Sequence, residues 1–303
     1  MLDIKKVLFT TDFSELANHA LPYAIKMARI FDAELVMLHA VTLYEHDPND
    51  PTHHFPSLER YCEEVEVAAD KKFQVCIESA GDTGVKVSKV IVQGISPHAA
   101  ILEYLGDNKD IGMVVMSSHG RSGLSHMLLG SVTENVVRYA DRPVLVVKKP
   151  EHEIIDPETG ELTIKRILFP IDFSEDALRP MELLKFIAEQ HQSRVYVFHS
   201  IDVEIPPVYY SSGINSILEL DPNIKERVEK KMRETLESEL NALETEFVVE
   251  EGRATERIRE FIVNENIDLV VMATSGSHGI GEFLFGSTAA RVIQKALCPV
   301  LVV

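Results

Sequence analysis

The chain has 303 residues, 45% of them hydrophobic and 26% charged, which is the composition of a soluble globular protein with length for about two domains. Its formal net charge of -18 argues against nucleic acid and anionic membrane as main partners, because phosphate backbones need a basic face. The charge leaves room for a small anion held locally by a few backbone N–H groups.

The first apolar run, 4–10, reads as a strand, and "TDFSE" follows it, where Asp12 and Ser14 can cap a helix over 14–30. A strand over 34–40 ends near His39. The next loop gathers His46, His53 and His54 with Asp47 and Asp50. Such a set could bind zinc, but no ligand spacing is fixed and a solvated charged loop is the simpler reading. Helix 58–79, strand 85–92, helix 97–106 and strand 111–116 come next. The stretch "SSHGRSGLSHMLLGSVTENVV" (117–137) then carries Gly120, Gly123 and Gly130 into a helix over 131–140, and a strand over 143–147 closes the half.

A charged, proline-bearing stretch with a D-P-E-T-G turn signal lies at 148–162. It suggests a first domain at 1–150, a linker at 151–161 and a second domain at 162–303. Strands then read at 165–170, 194–200, 246–250, 267–273 and 299–303, with helices at 174–190, 222–244, 254–264 and 287–296. The second half repeats the first. "IKKVLFTTDFSE" (4–15) returns as "IKRILFPIDFSE" (164–175), identical at eight of twelve positions, and His39 in "LVMLHAV" matches His199 in "VYVFHSI". "LLGSVTENVV" (128–137) meets "LFGSTAARVI" (284–293), and "RPVLVV" meets "CPVLVV". A period of half the chain is a duplicated domain, not a solenoid.

Most strands are continuous apolar runs, the mark of a parallel sheet covered on both faces by helices. Each half is therefore expected to be a five-stranded doubly wound α/β sheet. In such sheets ligands bind outside the carboxyl ends of the strands, where the strand order reverses. Asp12, His39-Ala40 and the 117–131 stretch fall there in the first half; Asp172, His199-Ser200 and 273–287 fall there in the second.

Two readings of the glycines stand side by side. Gly120 and Gly130 can serve positive φ, and Ser131 with Glu134 has capping-box spacing. In the second half "GSTAA" keeps Gly-Ser but has Ala290 in place of the acid, which suits an anion at the helix N-terminus. There is no G-x-x-x-x-G-K-[ST] and no G-x-G-x-x-G after a first strand. Asp12 has no acidic neighbour and "VIVQGIS" no Asp, which excludes a receiver-type phosphorylation site. The three cysteines, Cys62, Cys76 and Cys298, form no CxxC pair. With no signal-peptide core and no membrane-length apolar run, the expected compartment is a reducing cytoplasm.

These motifs resemble the universal stress protein family in its tandem two-domain form, over nearly the whole chain. The carriers are "VLFTTDFSELANHAL", "LVMLHAV", "VIVQGISPHAAI", the 114–148 stretch and their second-half partners. The resemblance implies Rossmann-like domains of the adenine nucleotide alpha hydrolase type, strand order 3-2-1-4-5. The family's nucleotide binders carry G-x2-G-x9-G-[ST]. Here Ser117-x2-Gly120-x9-Gly130-Ser131 and Ala273-x2-Gly276-x9-Gly286-Ser287 replace the first glycine with a small residue.

The resemblance further implies that Asp12 and Asp172 contact adenosine and that the backbone at Ala40 and Ser200 meets the adenine edge. Gly120, Gly130, Ser131 and Val132, with Arg121 in reach, would hold phosphates in the first half; Gly276, Gly286, Ser287 and Thr288 would do so in the second. The ligand would be ATP, ADP or AMP, with a divalent ion riding on the phosphates. The implied function is stress-response regulation through occupancy, with little or no turnover. A weak ATP hydrolase or self-phosphorylating enzyme is the alternative, although no positioned base or lysine clamp is visible. An interaction module with vestigial sites is another. The fifth strands, "PVLVV" in each half, are expected to pair across a twofold as an intrachain pseudo-dimer. A homodimer of chains is left open.

Overall fold

A computed structural model describes residues 4–42, 58–120, 129–148, 154–155, 162–203, 205–206, 209, 213–274 and 286–303, without the side chains of 58–62. The chain divides into two compact units, Met1–Lys149 with Pro157–Leu162, and Pro150–Asp156 with Thr163–Val303.

In unit 1 the strands are β1 (Lys6–Thr10), β2 (Glu34–Thr42), β3 (Val87–Gly94), β4 (Ile111–Ser117) and β5 (Val144–Val147). The helices are α1 (Glu15–Ile30), α2 (Leu58–Ala80), α3 (Pro97–Asp107) and α4 (Ser131–Tyr139). β1 pairs with β2 and β4, β2 with β3, and β4 with β5, all parallel, so the order is β3-β2-β1-β4-β5. Parallel neighbours need crossovers, which the helices supply. Val7, Leu8 and Phe9 of β1 are fully buried, as a central strand covered on both faces requires. Gly112 lies at a register shift between β1 and β4, where a Cβ would meet Ile4 Cα at 2.9 Å.

Caps set where the helices start. Ser14 accepts from the Ala17 N–H at 3.2 Å and opens α1; Ser96 opens α3, with Pro97 at its first position. Because each helix starts just after a strand ends, the capping turns and the carboxyl ends of the strands share one edge of the sheet.

Unit 2 repeats the plan with β6 (Arg166–Pro170), β7 (Arg194–Ile201), β8 (Thr245–Glu251), β9 (Leu269–Met272) and β10 (Val300–Val302). Its helices are α5 (Met181–His191), α6 (Ile217–Leu220), α7 (Ile224–Leu240), α8 (Ala254–Asn264) and α9 (Ser287–Lys295). β6 pairs with β7 and β9, β7 with β8, and β9 with β10, again all parallel. The start of β6 is pinned by Asp268 Oδ2, which accepts from the N–H groups of Lys165 and Arg166 at 2.7 and 2.8 Å.

Two expectations change. The helix expected over 174–190 is broken into a 3-10 turn, Asp176–Leu178, and α5, because Pro180 has no N–H to continue the ladder and becomes the cap of α5. The short α6 was not expected. Ser216 caps it, and Glu251 accepts from the Ser216 hydroxyl at 2.6 Å and from the Ile217 N–H at 2.7 Å. Among the described residues no helix is long and apolar enough to cross a membrane.

Candidate functional site

Unit 1 builds its crevice from three turns. The first follows β1. Thr11 donates its N–H to Leu38 O at 2.9 Å, extending the β1–β2 pairing by one residue. Thr11 Oγ1 then accepts from the Phe13 N–H, and Asp12 Oδ1 from the Ser14 N–H, both at 2.9 Å. Asp12 therefore does serve the turn into α1, while Ser14 is the helix cap proper. The other carboxylate oxygen, Oδ2, lies against Gly120: a Cβ built there would run into it. An aspartate from the first strand and a glycine after the fourth thus meet without a side chain between them.

The second turn follows β4. The Gly130 N–H donates to Ser118 O at 2.9 Å, closing the base of the loop, and the Ser118 N–H donates to Val147 O at 2.9 Å. The buried Thr133 hydroxyl donates to Ser117 O at 2.8 Å, tying α4 to the end of β4. A Cβ on Gly130 would stand 3.1 Å from Ser118 O and 3.3 Å from His119 Cα. Gly130 has φ -63, and Gly120 also lies outside the left-handed region. Close approach, not positive φ, is what these glycines provide.

The structure also corrects the capping-box reading. Gly130 is the N-cap of α4 and no side chain caps it; Ser131 is already the first helical residue. Glu134 instead accepts from Arg138 at 2.9 Å along the helix surface. α9 starts the same way, on Gly286 with no side-chain cap, and Gly286 donates to Thr274 O at 2.8 Å. Both helices therefore open with first-turn N–H groups directed out of the positive end of the helix dipole, unmet by a capping side chain. Ser131 and Ser287 are exposed, and Val132 and Thr288 half-buried.

Ser117 fits its place without blocking the turn. It is buried, and its hydroxyl donates to His119 O at 2.7 Å, within its own loop. Ala273 is buried at the matching position. Arg121, Gly123, His126, Gly276 and Ser277 lie outside the described residues, as do His46, His53 and His54 with their two aspartates.

The third turn follows β2. Ala40 is half-buried on β2 opposite Val92, and Ser200 sits on β7 opposite Glu250, its hydroxyl donating to Gly252 O at 2.5 Å. Burial pushes the Glu250 carboxyl above its usual range, with Arg257 pulling the other way. Asp172 is exposed and accepts from the N–H and hydroxyl of Ser174 at 3.0 and 2.6 Å.

Sequence reading missed two features that bind these turns together. His39 Nδ1 lies 2.7 Å from Thr11 O, and His199 Nδ1 2.9 Å from Ile171 O. Phe13 and Phe173 both adopt a left-handed backbone. The available signal was the repeat itself, which preserves the histidines and phenylalanines at one offset.

Each unit is thus a Rossmann-like doubly wound domain whose bare-backbone turns gather at the strand carboxyl ends. The chain belongs to the universal stress protein family: the family profile matches residues 3–148 and again 163–303. A universal stress protein of Methanocaldococcus jannaschii is 34% identical over 156 residues, covering 48% of this chain and 95% of that protein. One from Mycolicibacterium smegmatis is 24% identical over 309 residues, covering 98% of this chain and 96% of its own length, so the tandem form is shared. Among solved structures, a universal stress protein from Archaeoglobus fulgidus has the same fold, with a TM-score of 0.66 at 22% identity over 98% of this chain and 97% of that one.

Proposed function

We propose that the chain binds an adenine nucleotide, ATP, ADP or AMP, at the strand carboxyl ends of one or both domains. Occupancy then regulates a stress response in the cytoplasm, with little or no turnover. The carrying observation is the start of α4: Gly120 packs without a side chain against Asp12 Oδ2, and beyond it the helix opens on Gly130 with no side-chain cap. A phosphate fits there because its oxygens accept from several N–H groups at once and carry the charge that the helix terminus favours.

In this reading Asp12 and Asp172 accept from ribose hydroxyls, and the backbone at Ala40 and Ser200 meets the base. Gly120, Gly130, Ser131 and Val132 hold phosphates in the first domain with Arg121; Gly276, Gly286, Ser287 and Thr288 do so in the second. Ser117 and Ala273 stand where the family motif has its first glycine. The hydroxyl of Ser117, turned to His119 O, supports a cradle that tolerates the change. A divalent ion would arrive with the phosphates. The pairing of the fifth strands across a twofold is carried by the sequence alone, and separately produced domains that do not associate would count against it.

Protein purified without added nucleotide is expected to release AMP, ADP or ATP on denaturation, and millimolar nucleotide to raise the melting temperature. Gly130→Val is expected to remove that shift. No co-purified nucleotide together with no shift would refute the reading. Sustained phosphate release that Gly130→Val abolishes would replace it with an enzyme.

A further inference from the structure

The same three-part stack occurs in both units, beside the residues assigned to adenosine. Phe13 and Phe173, each directly after the site aspartate, have φ of 63 and 62. Their rings lie against the histidine of the adjacent strand, with centroids 4.6 Å apart for Phe13 and His39 and 4.7 Å for Phe173 and His199. A lysine from the long helix beyond the next strand, α2 or α7, covers each phenylalanine: Lys72 Nζ is 5.4 Å from one ring and Lys231 Nζ 4.4 Å from the other. Left-handed backbone is uncommon and strained for a bulky residue. Two copies at matched positions mean that the surroundings enforce it twice.

The imidazoles explain what is being enforced. A backbone carbonyl has no proton to give, so Nδ1 of each histidine carries one and donates it, to Thr11 O or Ile171 O. Those carbonyls immediately precede Asp12 and Asp172, and the histidines immediately precede Ala40 and Ser200. One ring therefore links the backbone next to the aspartate with the strand edge beside it, and the left-handed phenylalanine wedges that link from one side. Packing alone would need neither the donated bond nor the left-handed residue.

We propose that His39 and His199 are positioning residues of the two sites. They fix the aspartate relative to the β2 or β7 backbone, so that ribose and base are met together, without touching the ligand themselves. The inference rests on the nucleotide reading above and names a part of its machinery. It predicts a selective effect, because the open first turns of α4 and α9 follow β4 and β9, not the strands that the histidines link.

The test is calorimetric titration of the full chain with adenosine, AMP and inorganic tripolyphosphate, comparing wild type with His39→Ala/His199→Ala and with His39→Asn/His199→Asn. The alanine variant should lose about tenfold or more in affinity for adenosine and AMP, the loss of one well-placed hydrogen bond, and keep its affinity for tripolyphosphate. The asparagine amide can donate from nearly the Nδ1 position and should recover most of the loss. Equal weakening toward all three ligands, no weakening, or no rescue by asparagine would overturn the inference. A wild-type chain that binds none of adenosine, AMP, ADP and ATP would overturn the nucleotide reading instead.

Discussion

At the scale of single residues, glycine is the informative type, and its meaning depends on what stands opposite. Gly120 faces a carboxylate, whereas Gly106, near the end of α3, has nothing within 4 Å of an added Cβ. Gly120→Ala should push Asp12 aside and weaken AMP binding by about tenfold or more by calorimetry, since it disturbs a charge-assisted acceptor. Gly106→Ala should leave binding unchanged and stabilise the fold by about 0.5–1 kcal/mol in urea unfolding. The glycine spacing was legible in the sequence, but its cause was not. The Asp12 oxygen that makes Gly120 necessary is 108 positions away in the chain, and only the β1–β4 pairing brings it there.

At the scale of elements, continuous apolar runs located the strands to within a few residues, because burial on both faces leaves little choice of residue type. Helices were less secure where proline intervened. Pro22 is retained inside α1, while Pro180 ends a 3-10 turn and starts α5. One residue type gives two outcomes, and packing rather than local preference decides between them. His39 likewise carried no visible role, since its partner carbonyl is 28 residues earlier. The outer strand β8 offers an element-scale prediction. Glu250 there faces Arg257 and Glu260 of α8 and Lys225 of α7, and burial raises its carboxyl pKa. The folded state then holds a proton that the unfolded chain releases near pH 4.3, so stability from this group is lost as pH rises through that value toward the folded pKa. Glu250→Gln should raise the melting temperature at pH 7 and leave it unchanged at pH 4, as followed by circular dichroism. An equal gain at both values would assign the effect to packing.

At the scale of the whole molecule, duplication is the governing fact, and the sequence shows it plainly. What it does not show is how far the copies have diverged in their supports. Asp110 meets the Lys6 ammonium at 2.7 Å just before β4, whereas just before β9 Asp268, which stands where the first copy has Gly112, accepts from two backbone N–H groups. The first arrangement lowers the Asp110 pKa through the Lys6 hydrogen bond. That pair is partly exposed and therefore weak. The net charge of -18 acts on the chain as a whole by self-repulsion. Raising ionic strength from low to moderate salt should stabilise the protein by on the order of 1 kcal/mol, about 2–4 °C in melting temperature for domains of this size. A melting temperature that falls with salt would show that ion pairs outweigh the repulsion.

The chain contains no tryptophan, and this gives the paired Phe–His contacts an optical use. Phe13→Trp or Phe173→Trp would place the sole indole of the protein within van der Waals reach of one imidazole. Indole emission depends on what the ring touches, so the fluorescence of each variant would follow the contact with its own histidine. The same two variants would report separately on the filling of each domain, turning a symmetric duplication into two distinguishable signals.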